Sequence, residues 1–165
     1  MSTLKEFLKE LDQESAVTRK MLERIPDDKH DWQPHPKSMT IKQLAGHIAE
    51  LPGWISMAFT TDEMDFSTSP YSPPKWNTKE ELLAIFEQAL TGAHQHINEA
   101  KEEDLDPEWK LRDAENIYMA ITKRELVRHA LSQTIHHRAQ LGVYLRLLDI
   151  PIPGTYGPSA DEQNF

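Results

Sequence analysis

Residues 122–149 read TKRELVRHALSQTIHHRAQLGVYLRLLD. Thr122 and Glu125 stand three apart, the spacing of a capping box, in which a hydroxyl and a carboxylate each take a backbone N–H at a helix start. Behind them Leu126, Ala130, Thr134, Leu141, Tyr144, Leu145 and Leu148 fall on one stripe of a helix turning ~100° per residue. The spacing predicts the strongest helix of the chain here, over about 123–149. The same wheel places His137 about 40° from the centre of the apolar stripe, inside it. Gln133, Gln140, His129 and His136 follow along one flank, so the core-facing side of this helix is edged with nitrogen and amide groups.

Three more amphipathic segments precede it. Leu4, Phe7, Leu8, Leu11, Thr18, Met21, Leu22 and Ile25 repeat at three- and four-residue steps and predict a helix over about 3–25. Ile41, Leu44, Ala45, Ile48, Leu51 and Ile55 predict a second from about Thr40, which Pro52 and Gly53 should kink or end. Thr78 and Glu81 form another capping-box pair, and the apolar spacing runs from there to about Ala100. Between the helices lie Pro-rich segments: 26–39, and 60–76, which is long enough to serve as a binding loop or lid. Residues 101–121 read as a loop in which 109–111 and 118–121 can be short extended pieces. The tail, 151–165, has three prolines and reads as an extended strap over the body. Four helices with such connections predict an all-α fold, a four-helix bundle with long Pro-rich loops and an extended C-terminal tail, in a single domain over 1–165.

Composition narrows the function. The 165 residues hold 18 Lys and Arg against 27 Asp and Glu, for a formal net charge of −9. That argues against a nucleic-acid partner, whose phosphates demand a basic surface. There is no cysteine, so zinc-thiolate sites, iron–sulfur clusters and thiol nucleophiles from this chain are excluded. The charged N-terminal segment has no signal-like apolar core, and no stretch has the ~18 apolar residues of a membrane span. A cytoplasmic protein without a membrane partner is the expectation.

Eight histidines remain to be placed. His30, His35, His94 and His96 read as solvated surface. His47 lies at helical spacing from Leu44 and Leu51, at the edge of the second helix's apolar face. It can therefore meet His137 of the last helix inside the bundle, where bundle proteins build metal sites from inward-projecting side chains. Gln133 and His137, four apart, can share one metal from one helix face. The alternative is a pair of hydrogen-bonded core histidines without an ion. Arg138 reads as a structural ion-pair partner, and Trp32, Trp54, Trp76 and Trp109 as seals between loops and bundle, with the roof of a pocket as the alternative.

The stretch His136-His137-Arg138-Ala139-Gln140-Leu141-Gly142-Val143-Tyr144-Leu145-Arg146 resembles the closing signature of the DinB family. The tail Tyr156-Gly157-Pro158-Ser159-Ala160-Asp161-Glu162 is similar to that of one branch of the family, and Leu44-Ala45-Gly46-His47-Ile48 to its second-helix motif. The resemblance implies a bundle, often dimeric, with a divalent metal on three histidines, of which His47 matches the first and His137 the last. The middle one falls on Gln133, a harder and weaker donor than imidazole. Gln133 can ligate through its oxygen, His129 can take its place one turn earlier, or the position can be left to water. The site expected is His47, Gln133 and His137, holding Zn²⁺ or Ni²⁺. The implied function is a metal-dependent thiol transferase or hydrolase acting on a small molecule, with a low-molecular-weight thiol as cosubstrate. The alternative is a non-catalytic dimeric stress-response or ligand-binding bundle. A homodimer is the implied assembly.

Overall fold

The computed structural model describes residues 2–163. Four long helices carry it: α1 (Thr3–Leu22), α2 (Ile41–Thr60), α3 (Lys79–Glu99) and α4 (Lys123–Leu147). Each starts on a hydroxyl. Ser2, Thr40, Thr78 and Thr122 accept the N–H groups of Lys5, Gln43, Glu81 and Glu125, removing orphan donors that a helix start otherwise leaves bare. The boxes at Thr40 and Thr122 are complete. At Thr78 the Glu81 carboxylate reaches one residue further back, to the N–H of Asn77 at 2.7 Å.

The helix α2 lies at the centre, and ten of its side chains or backbones are buried. It packs on α3 and α4, while α1 closes the other side. Small residues let neighbours come close. A Cβ on Gly46 would stand 3.1 Å from the indole nitrogen of Trp76, which donates to the carbonyl of Lys42 at 3.2 Å. The helix does not end at Pro52. It runs on to Thr60, because Pro52 and its neighbour Leu51 are buried in the packed face and that burial outweighs one missing N–H.

The expectation of an all-α fold needs correction. Residues 101–122 form a 3₁₀ turn (Glu102–Leu105) and then a hairpin, and a third strand joins it from the loop after α2. Strands β1 (Glu63–Asp65), β2 (Glu108–Asp113) and β3 (Asn116–Thr122) lie in that order, β1 parallel to β2 and β2 antiparallel to β3. Trp109 is fully buried and ties the hairpin to the bundle by donating to the Thr61 hydroxyl at 3.0 Å. The protein is a mostly helical bundle with a small sheet at one end.

The tail, as far as Gln163, has no regular element and straps the bundle as expected. Asp161 holds it by accepting from Arg146 and from the N–H of Ile152. Among the described residues no helix is long and apolar enough to cross a membrane.

Candidate metal centre and adjoining pocket

His47 of α2 and His137 of α4 meet inside the bundle, as their helical positions predict. Their ring centroids are 4.8 Å apart and the planes stand at 75°. Both rings are oriented by oxygen on the far side. Nδ1 of His47 lies 2.7 Å from Oε1 of Glu50, one turn on, and Nδ1 of His137 lies 2.9 Å from Oε1 of Gln140. An oxygen acceptor on Nδ1 places the proton there and leaves the Nε2 lone pair exposed. Among the described residues no protein hydrogen bond engages either Nε2. Burial, the main cause, holds the His137 imidazole below its ordinary value, with His47 and His136 pushing the same way and Gln140 opposing. The ring is therefore neutral, a lone-pair donor, at pH 7.

Among the described residues no hydrogen bond links Gln133 to this pair. Its amide nitrogen lies 3.3 Å from Nε2 of His129, whose ring stacks obliquely on Trp54 of α2, 6.3 Å between centroids. Its amide oxygen has no protein partner among the described residues. His136 lies edge-on to His137 at 4.9 Å but is exposed. Among the described residues, no group of three or more His, Cys, Asp or Glu is placed to hold a metal. Two imidazoles with free Nε2 atoms fit a cation. A third protein ligand would have to come from another donor type, such as the Gln133 amide oxygen.

Of the four histidines expected in solvent, His35 is exposed, while His94 is partly covered and pairs with Asp12. His30 departs: its ring packs edge-on against Trp76, centroids 4.4 Å apart, because the first loop folds back over α2. His96 is also partly covered, and its Nδ1 is buried without a partner.

Two residues that periodicity did not single out complete the centre. Glu50 orients His47, and the same Oε1 accepts the Tyr71 hydroxyl at 2.6 Å. Tyr71 comes from the Pro-rich loop after β1, and burial with the Glu50 hydrogen bond raises its pKa. The position of Glu50, three after His47 on a helix, was a usable signal; Tyr71 offered none. Between this loop, the 37–39 turn and α2 lies an open cavity of about 520 Å³ with His47 in its wall. Trp54, Phe66, Tyr71, Pro73 and Met39 are the apolar residues of its lining. Trp54 thus both roofs a pocket and packs on the bundle, whereas Trp76 and Trp109 are fully buried seals.

A helical bundle with a small sheet and a histidine pair on its second and last helices defines the class. The DinB family model matches residues 1–164, and the chain belongs to the DinB family. It is similar to the uncharacterized protein YjoA of Bacillus subtilis strain 168, 28% identical over 130 residues, 79% of this chain and 80% of that one. It is also similar to the uncharacterized protein YrdA of the same strain, 23% identical over 97% of this chain and 92% of that one. Among solved structures, the DinB-like protein from Bacillus cereus ATCC 10987 superposes with a TM-score of 0.69 at 19% identity, covering 91% of this chain and 95% of its own. A mycothiol-dependent maleylpyruvate isomerase superposes with a TM-score of 0.62 at 16% identity, over 86% of this chain and 63% of its own. At these identities the structural likeness speaks for the fold.

Proposed function

We propose that this chain binds a divalent metal between His47 and His137, with Gln133 as the third protein ligand, and acts on a small molecule as a metal-dependent thiol transferase or hydrolase. The observation that carries the reading is the paired orientation of the two imidazoles: each is fixed at Nδ1 by an oxygen, and neither Nε2 is used. Core histidines without an ion have no need of two unpaired lone pairs on facing rings. Imidazole with oxygen donors suits Zn²⁺ or Ni²⁺. When bound, such an ion supplies a Lewis acid with open positions, at which a thiol or water loses its proton more readily. The chain's own part is to hold the ion's ligands rigid through Glu50 and Gln140 and to seat the substrate in the cavity beside His47. The thiol comes from outside, as the chain has no cysteine, and the likeness to a thiol-dependent isomerase agrees with that role. A cytoplasmic homodimer belongs to the same proposal.

One observation favours a second reading, a non-catalytic ligand-binding bundle: among the described residues no three classical ligands converge. Elemental analysis of protein purified without a metal-affinity tag, with thermal melts in Zn²⁺, Ni²⁺ and chelator, separates the two. At a metal concentration 100 times Kd the stabilisation is ~2.7 kcal/mol, and His137→Ala should abolish it. Gln133→His should strengthen binding by about tenfold, as imidazole replaces an amide. Absence of stoichiometric metal, with identical melts in all three conditions, overturns the metal reading and leaves the second.

A further inference from the structure

The cavity beside His47 has a consistent chemical sign. Its apolar surface is mostly ring-bearing: Trp54, Phe66, Tyr71 and Pro73, with Met39 beside them. Trp54 packs on His129 and Trp109, at centroid distances of 6.3 and 6.5 Å, and the Tyr71 ring is held by its hydroxyl on Glu50. The polar groups on the lining are Lys37, Ser38 and Gln43 beside His47 and the Tyr71 hydroxyl. Among the described residues Lys37 forms no ion pair and the Ser38 hydroxyl no hydrogen bond. Gln43 spends its Oε1 on the N–H of Thr40 at 2.9 Å, which leaves its amide N–H groups without a partner. The carboxylate nearest to the wall, Glu50, already accepts from both His47 and Tyr71. The pocket therefore offers a cation and several donors, and no free acidic acceptor, in a chain whose net charge is −9. The start of α2 contributes nothing to this, because Ile41, Lys42 and Gln43 donate to Trp32, His30 and Thr40.

We infer that this pocket takes a planar aromatic anion, its ring between Trp54, Phe66 and Pro73 and its carboxylate or sulfonate on Lys37, Gln43 and Ser38. Naming it the substrate class of the enzyme rests on the metal reading given above; the binding itself does not. A ligand seated this way lies beside His47, one of the two histidines of the proposed metal pair. Aromatic walls supply area at little entropic cost, and the lone cation sets the sign of what enters.

The test is calorimetric titration of the full chain in chelator, at low ionic strength, with four probes: 2-naphthoate, 2-naphthylmethanol, 2-naphthylmethylammonium and acetate. The expected result is that 2-naphthoate binds about tenfold tighter than the neutral alcohol and that the cation and acetate give no measurable heat. Lys37→Glu, a change at an exposed side chain, should erase the preference for naphthoate over the alcohol. Lys9→Glu, an equal change of net charge on exposed α1, should leave it intact. Equal binding of all three naphthyl probes, or an unchanged preference in Lys37→Glu, overturns the inference. Naphthoate binding that persists in a protein taking up no metal sinks the metal reading alone; Zn²⁺ binding without naphthoate binding sinks this inference alone.

Discussion

His137 and Arg138 are neighbours on α4, and they face two different environments. Arg138 turns to α1. It is 2% exposed, pairs with the Glu14 carboxylate at 2.6 Å, and donates to the Glu14 carbonyl, the Thr18 hydroxyl and the hydroxyl of Tyr156 from the tail. Tyr156 in turn donates to Glu14 at 2.8 Å. This cluster is nearly closed: its groups serve one another across three segments of the chain, and the buried Glu14 Oε2 is held by the ion pair with Arg138 without a hydrogen bond. His137 turns to α2 and meets another base, with both Nε2 atoms unused. A closed polar cluster fixes a fold, whereas an open one leaves chemistry to be completed by something else.

The contrast breaks most visibly on the Arg138 side. Arg138→Met strands a Glu14 side chain that is 8% exposed, and the expected loss is ~3–5 kcal/mol of unfolding free energy. Denaturant titration measures it, and adding Glu14→Met should restore most of the loss, since replacing a whole buried pair by apolar groups is close to neutral. If Arg138→Met alone costs less than ~1 kcal/mol, the cluster is not a fold determinant. Glu50→Ala, which removes the acceptor on His47, probes the open side. It should leave the melting temperature of metal-free protein nearly unchanged while weakening Zn²⁺ binding by about 10–100-fold, the usual effect of a lost orienting partner. A large drop in metal-free stability would instead make Glu50 part of the scaffold.

The smallest effect is a dependence on pH that only one neighbour should show. The His137 pKa is depressed in the folded state, so as pH falls the unfolded chain takes the proton first. This contribution is fully present above the unfolded value of ~6.5 and is lost as pH falls from there toward the folded pKa. The metal-free protein should therefore lose stability across that window, and His137→Gln should flatten the loss in thermal melts; an unchanged slope would show that the ring is as solvated as an ordinary histidine.

Periodicity made the four helices legible, and with them the meeting of His47 and His137, because a helix converts sequence spacing into direction. The sheet was not legible in the same way. Ile117 and Tyr118 are apolar yet 57% and 62% exposed, so β3 lacks the alternation that marks a half-buried strand. The hairpin turn has no Gly. Ala114 occupies it at φ 49°, its N–H bonded to Asp65 and its carbonyl to Arg112; tertiary contacts hold a turn that local chemistry does not announce. Strand β1 is three residues long and pairs in parallel across a gap of more than forty residues. Tyr71 eluded the sequence for a related reason, since its loop has no repeat to aim a side chain. Arg138 was legible as an ion-pair former, but its partner on α1 was not.

The segment that carries Phe66 and Tyr71 is pinned at three places. The N–H of Phe66 bonds to Arg112 of β2 at 2.9 Å, Tyr71 is anchored on Glu50, and Trp76 is sunk against Lys42 of α2. A span secured at both ends and in the middle has little freedom left to surrender when a guest arrives. Capture there should proceed without a slow isomerisation, at an on-rate set by diffusion through the mouth and with modest entropic loss. Selectivity then belongs to the contour of a ready-made mould, so that guests too thick for the gap are rejected outright.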